Sequence, residues 1–218
     1  MSTQERANYT IHQDSYLFQA LIGLILSDMS VLRAKTRSTG AHPNSKRVSN
    51  SRLRFGQGWP NVMFLWHVYT LLMEYCSVFP YSGVTLNKST GSTDVGFFFN
   101  TITLPCFNYL YDIFHVDRVK VVPTMIYDLL TPVGLAYLIM GDGSYHIRDG
   151  YVVICTEGFT NPDNLLLMSV LVNKFGLSCR IERHVSSSRI IIRRQSIDLL
   201  RSLVLPYMIP EMRYRVGV

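Results

Sequence analysis

Leu21-Ile22-Gly23-Leu24-Ile25-Leu26-Ser27-Asp28-Met29 is apolar at nearly every position until it reaches a carboxylate, and 114 positions later Leu135-Ala136-Tyr137-Leu138-Ile139-Met140-Gly141-Asp142-Gly143 repeats the pattern. Runs this uniformly apolar predict helices buried among other elements rather than lying on a surface. Small residues in each, Ala20 and Gly23 in the first, Gly134 and Ala136 in the second, allow another backbone to come close. Asp14 or Ser15 caps the first helix, which reaches from Tyr16 to the end of the run; Thr131 caps the second, with Pro132 at its first position. Each apolar stretch lasts only about ten residues, short of the roughly 18 that a membrane span needs.

The surroundings of the two runs also repeat. Amphipathic helices are expected at 64–76, 104–114, 161–175 and 196–205, and strands at 31–35, 51–56, 95–103, 144–147, 151–156, 178–184 and 189–194. Pro123-Thr124-Met125-Ile126-Tyr127 is answered by Pro210-Glu211-Met212-Arg213-Tyr214. The order helix, strands, helix, strands, helix therefore occurs twice, which predicts an α+β chain built as a pseudo-dimer of two subdomains, 1–130 and 131–218.

The composition fits a packed protein with an anionic partner such as nucleic acid or a membrane surface. With 218 residues, 48% of them apolar, the chain buries a substantial core, and disorder is excluded. Twenty-one Lys and Arg against 15 Asp and Glu leave a net charge of +6, favouring an anionic partner. From Met29 to Met73 there is no acidic residue, while Arg33, Lys35, Arg37, Lys46, Arg47, Arg52 and Arg54 stand among Ser, Thr, Asn and Gln. A second acid-free window, Arg183 to Ile197, holds Arg183, Arg189, Arg193 and Arg194. Either run alone also suits a solvated face; together, on strands, they suit phosphates and base edges. The cysteines, Cys76, Cys106, Cys155 and Cys179, contain no C-x-x-C pair, pointing to a reduced compartment. The segment before Tyr16 has neither an apolar centre nor an Arg-rich, acid-poor composition, so no secretory or transit leader is expected there.

A carboxylate at the C-terminal end of a buried helix faces the negative end of the helix dipole and calls for a cation. If the two helices pack side by side, Asp28 and Asp142 converge, and paired carboxylates beside a basic surface suit hard divalent ions that clamp a phosphoryl displacement. With its two acid-ended runs, the sequence resembles the single-chain, two-motif LAGLIDADG homing endonucleases encoded within introns, from about Ser15 to Arg215. The first run departs from the motif at Ile22, Leu26, Ser27 and Met29, positions that tune helix packing; both terminal acids are kept.

The resemblance implies two αββαββα subdomains whose sheets form a saddle over the DNA major groove, with motif helices 16–28 and 132–142 at their interface. Asp28 and Asp142 then bind Mg²⁺ or Mn²⁺, assisted by the carbonyls of Ser27 and Gly141, whereas Ca²⁺ supports binding without cleavage. Lys120 matches the catalytic basic residue of the first copy; Arg215 takes that place in the second, where relatives carry Lys. Arginine keeps the charge but does not readily deprotonate. The same resemblance implies a monomer that cuts an asymmetric double-stranded site of about 20 bp, leaving 3′ overhangs, in a mitochondrion or another organelle. Base and backbone contacts fall to Arg33, Lys35, Arg37, Lys46, Arg47, Arg52, Arg54, Gln57 and Lys88 in the first half, and to His146, Arg148, Arg180, Arg183, Arg189, Arg193, Arg194 and Gln195 in the second. An RNA maturase acting on its intron is the alternative; a WhiA-type regulator is a third reading without support, because this sequence shows no separate helix-turn-helix segment. The six histidines show no metal-ligand spacing, and Trp59 and Trp66 read as core or rim aromatics.

Overall fold

The computed structural model describes residues 2–34, 49–86, 93–183 and 187–218. A short helix, α1 (Thr3–Ala7), precedes the first motif helix, α2 (Tyr16–Leu26). Of the two candidate caps Ser15 is the one used, its Oγ accepting from the Phe18 amide. There follow β1 (Ser30–Arg33), β2 (Ser51–Gly58), α3 (Val62–Leu72), β3 (Tyr81–Leu86), β4 (Thr93–Asn100), α4 (Asn108–Phe114), a small hairpin of β5 (His115–Val116) and β6 (Val119–Lys120), and one turn of helix, α5 (Ile126–Leu129). The second motif helix, α6 (Pro132–Asp142), starts on the expected Thr131 cap with Pro132 in its first turn. The chain continues through β7 (Gly143–His146), β8 (Tyr151–Ile154), α7 (Asn161–Asn173), β9 (Cys179–Arg183), β10 (Ser188–Ile192) and α8 (Ile197–Val204), and ends in 3₁₀ turns.

Packing divides the chain into two units: residues 1–11 with 29–113, and residues 12–28 with 114–218. In the first, β1-β2-β4-β3 form an antiparallel sheet. Strand β2 alternates, Ser51, Leu53, Phe55 and Gln57 inward, Arg52 and Arg54 outward. Its inward row meets α3 in an aromatic core, with Phe55 and Phe64 edge to face at 5.6 Å and Tyr69 against Phe99 at 5.5 Å. Strand β3 lies outside the strands expected from the sequence: Val84 is 70% exposed, and no apolar alternation announces the segment.

In the second unit α2 crosses α6 at backbone contact. A Cβ on Gly23 would overlap the Gly134 carbonyl oxygen, so glycine is required there, and one on Gly134 would lie a tight 3.1 Å from the carbonyl oxygen of Gln19. The start of the crossing is tied by Thr131 Oγ1 donating to Gln19 Oε1 at 2.8 Å and by the paired hydroxyls of Tyr16 and Tyr137. Helix α6 is buried on all sides, as its composition requires. Strands β7-β8-β10-β9 repeat the order and antiparallel pairing of the first sheet. Helix α7 packs on β9 and β10, and α8 packs on α6. All four cysteines are unpaired, and no helix among the described residues is long and apolar enough to cross a membrane.

Candidate active site

Both motif helices end in the second unit, and their ends meet. A Cβ on Gly141 would collide with Ser27 Oγ and lie 3.3 Å from Asp28 Oδ2, so only glycine fits there. The Asp28 carboxylate is therefore held beside the last turn of α6, whose final residue is Asp142. Asp28 is exposed and Asp142 partly buried. Burial, followed by the like charge of Asp28, pushes the Asp142 carboxyl up to about 7, against the pull of Lys120 and Arg215.

Lys120 arrives from β6, at the end of a hairpin whose two-residue turn, Asp117 and Arg118, has positive φ at both positions. Its Nζ donates to the Ser27 carbonyl at 2.8 Å and sits over the Phe159 ring. Burial lowers its pKa while Asp142 and Asp28 raise it. Ser27 O, expected as a metal ligand, thus already accepts one hydrogen bond. Arg215, in the final 3₁₀ segment, donates from Nη1 to the Gly143 carbonyl at 2.6 Å, while its buried Nε has no hydrogen-bond partner. The four residues singled out as catalytic are therefore gathered around the two helix ends.

Among the described residues no group of three or more His, Cys, Asp or Glu forms a metal cage. Two carboxylates and nearby backbone carbonyls nonetheless form an all-oxygen donor set, and a carboxyl raised by burial and then by a like charge is one that a cation would relieve. That chemistry suits a small, hard divalent ion that keeps some of its water.

The expected DNA contacts divide by strand parity. On the outward face of the first sheet, cross-strand pairing aligns Arg54 with Ser30 and Asn100, and Arg52 with Leu32. Gln57 is a correction: it lies in the inward row, 8% exposed, its Oε1 accepting from Asn61 Nδ2. Arg33 is another. It faces inward, where its guanidinium bonds Asp112, Ser51 and the Asn108 carbonyl and stacks over Tyr111, fastening β1 to α4. Lys35, Arg37, Lys46, Arg47 and Lys88 lie outside the described residues.

On the second sheet, His146, Arg180 and Arg189 face outward, each beside a carboxylate: Asp149 at 3.1 Å, Glu182 at 3.5 Å, and Glu157 respectively. Arg193 is exposed just past β10, Arg183 is exposed at the end of β9, Arg148 lies in the β7–β8 turn, and Arg194 and Gln195 lie in the 3₁₀ turn before α8.

Sequence reasoning missed Phe98. Its ring lies on a bed of glycines on the outward face: a Cβ on Gly56 would overlap the ring, and Cβ atoms on Gly96 and Gly83 would come within 2.9 and 3.3 Å of it. Tyr81 and the Arg54 guanidinium flank the ring, and Asn100 Nδ2 donates to the Tyr81 hydroxyl. The signal lies in the alternation along Gly96-Phe97-Phe98-Phe99-Asn100: with Phe99 buried, Phe98 and Asn100 share the opposite, outward face.

The LAGLIDADG DNA endonuclease family model matches residues 18–200, more than four-fifths of the sequence. The chain belongs to this family. Among relatives, a probable intron-encoded DNA endonuclease 3 of Mycosarcoma maydis is 29% identical over 125 residues, 55% of this chain and 92% of that protein. The cytochrome b mRNA maturase bI2 of Saccharomyces cerevisiae is 27% identical over 206 residues, 89% of this chain and 48% of the maturase. The LAGLIDADG fold itself is matched by the homing endonuclease I-WcaI bound to its DNA recognition sequence, at a TM-score of 0.83 and 24% identity, covering 98% of this chain and 91% of that one. A point variant of I-DmoI, in complex with its target DNA and in the presence of Mn, matches at a TM-score of 0.54 and 15% identity, covering 89% of this chain and 96% of that one.

Proposed function

We propose that this LAGLIDADG protein is a site-specific, double-strand DNA endonuclease of intron homing, working as a single chain on an asymmetric target of about 20 bp, roughly one duplex turn per subdomain. The observation that carries the reading is the convergence of the two acid-ended helices, with Lys120 and Arg215 beside them. The repeated strand order supports reading the chain as two copies joined near residue 130, each supplying one sheet to the DNA.

Asp28 and Asp142, with the carbonyls of Ser27 and Gly141, would hold divalent ions, Mg²⁺ or Mn²⁺. Such ions supply Lewis-acid stabilisation of charge at the scissile phosphate. Lys120, buried and lowered, is suited to passing a proton to or from water near that phosphate, or to steadying its charge. Arg215 places a guanidinium, a fork of hydrogen-bond donors rather than a proton carrier, beside the same helix ends, suited to steadying charge on a phosphate. On the sheet faces, Arg52, Arg54 and Asn100 present hydrogen-bonding groups to base edges, and Phe98 presents an apolar plate suited to thymine methyls. The intron-encoded relatives support an organellar setting.

The alignment with a cytochrome b maturase over 89% of this chain supports a second reading, RNA binding that assists splicing. The two readings separate in one experiment. A library of intronless gene inserts is incubated with the protein and Mg²⁺, Ca²⁺ or EDTA, and breaks are mapped. Cleavage at one long site with Mg²⁺, lost in Asp28→Asn and Asp142→Asn while binding persists, is the expected result. Undiminished cutting by either variant overturns the site, and binding without breaks moves the reading to the maturase.

A further inference from the structure

The second unit has a basic cleft that the strand faces do not use. Its volume is about 280 Å³, and Tyr145, Arg148, Gly150, Arg194, Asp198 and Arg201 form most of its wall. Strand parity gives its side of the sheet. Tyr145 pairs with buried Val152, whereas His146, the next residue, is exposed. A cleft walled by Tyr145 and by α8 therefore opens on the helix-covered side, away from the row that carries His146, Arg180 and Arg189.

Its arginines are arranged rather than scattered. Arg201 is fixed from behind by the chain's last turn, Nε donating to the Val216 carbonyl at 3.0 Å and Nη2 to that of Gly217 at 3.1 Å. Gly217 holds φ +74°, and a Cβ there would run into the Tyr145 ring. These carbonyls orient the guanidinium and leave its charge in place. The stem of Arg194 lies across Gly150, itself at φ +69°, with Cγ and Cδ 3.4 Å from where a Cβ would stand. Arg148 and Arg194 have no acidic partner among the described residues. The one carboxylate lining the cleft among the described residues, Asp198, is 98% exposed and lies 3.3 Å from Arg201. The first residues of α8 also line the cleft, adding the positive end of a helix dipole.

Three guanidiniums against one solvated carboxylate repel one another unless an anion lies between them. We infer that this cleft binds a backbone phosphate of a nucleic-acid strand running outside the base-reading face, a second contact that rests on the endonuclease reading for the identity of its strand. The strand comes from one of two sources with the same chemistry: DNA flanking the core target, or folded RNA.

Two measurements test it. The first needs no nuclease activity. The ¹⁵N side-chain resonances of Arg148, Arg194 and Arg201 are followed while inorganic pyrophosphate is titrated in at constant ionic strength, and saturable shifts of all three are expected. In the second, the full-length Arg148→Gln/Arg194→Gln variant is compared with wild type across a salt series on three probes: the core target duplex, the same duplex extended by one turn at each end, and an RNA stem-loop of matching length. The slope of log Kd against log salt should fall by about 1 to 2 on the extended duplex or on the RNA, with the order of base preferences within the target retained. A change confined to the extended duplex assigns the strand to flanking DNA, and one confined to the stem-loop assigns it to RNA. Unmoved arginine resonances with identical slopes on every probe overturn the cleft. Saturable shifts in a protein that cuts no DNA leave the cleft standing and overturn only the endonuclease reading.

Discussion

The two four-stranded sheets share one strand order but not one charge arrangement. On the first, Arg52 and Arg54 face outward with no carboxylate partner among the described residues, beside an aromatic plate on bare glycine backbone. On the second, the outward-facing His146, Arg180 and Arg189 each lie against an acid of their own unit. The motif ends differ in the same way: the first copy supplies a buried amine, Lys120, and the second a guanidinium, Arg215. The strand order is shared while the side chains on it differ. On the proposed function, the first sheet is open to any polyanion, whereas the second would have to exchange internal contacts for bases, which would disfavour sequences unable to replace those partners.

The sharpest break of that comparison lies at the motif ends. Lys120→Met should lower cleavage of both strands by about 10²- to 10³-fold, the usual cost of losing a positioned charge at a developing oxyanion. Arg215→Lys should keep activity within a few-fold and change chiefly the rate of one strand. Single-turnover nicking assays with each strand labelled separate the two, and equal effects of both variants would erase the distinction. Next in size, Arg52→Ala and Arg54→Ala should each weaken target binding by about 1–3 kcal/mol and relax the base preference at their own positions. Arg180→Ala and Arg189→Ala should cost less, because each removal also frees an acid from its pair; equilibrium binding to the target and its single-base variants gives the ranking.

A pH series addresses the carboxylates. With the Asp142 carboxyl raised to about 7, its proton must leave before a cation binds, so Mg²⁺-dependent cleavage should fall by about tenfold per pH unit below 7. Raising Mg²⁺ should shift that midpoint downward. The sign for stability is opposite: the folded metal-free protein holds this proton more tightly than the unfolded chain, so its stability should decline as pH rises from the ordinary carboxylate range through 7, as thermal melts in EDTA would show. The smallest effect belongs to Glu182→Gln, which should strengthen non-specific DNA binding by a few-fold at most, since an exposed ion pair contributes only about 0–1 kcal/mol.

Much of this was legible from local sequence. The acid-ended runs, their caps and their glycines carry their meaning within a dozen residues, and the residues expected to be catalytic from the family resemblance lie around the two helix ends. What escaped were features set by parity or by partners. Arg52 and Arg54 share a face, so Gln57, an odd number of residues away, belongs to the other. Arg33 carries the composition of a DNA contact, yet Asp112, 79 positions away, claims it. The hairpin that delivers Lys120 turns on Asp117 and Arg118 with no glycine to mark it, and β3 hides because Tyr81, Ser82 and Val84 are all exposed, leaving no apolar row to read.

The contact of Gly23 with the Gly134 carbonyl bears on how such proteins can be recombined. A motif helix with any side chain at this point would not fit, because one methyl group on α2 would occupy the space of the α6 backbone. Hybrids that exchange one half of the chain must therefore keep glycine at position 23, whatever DNA contacts the exchanged half carries.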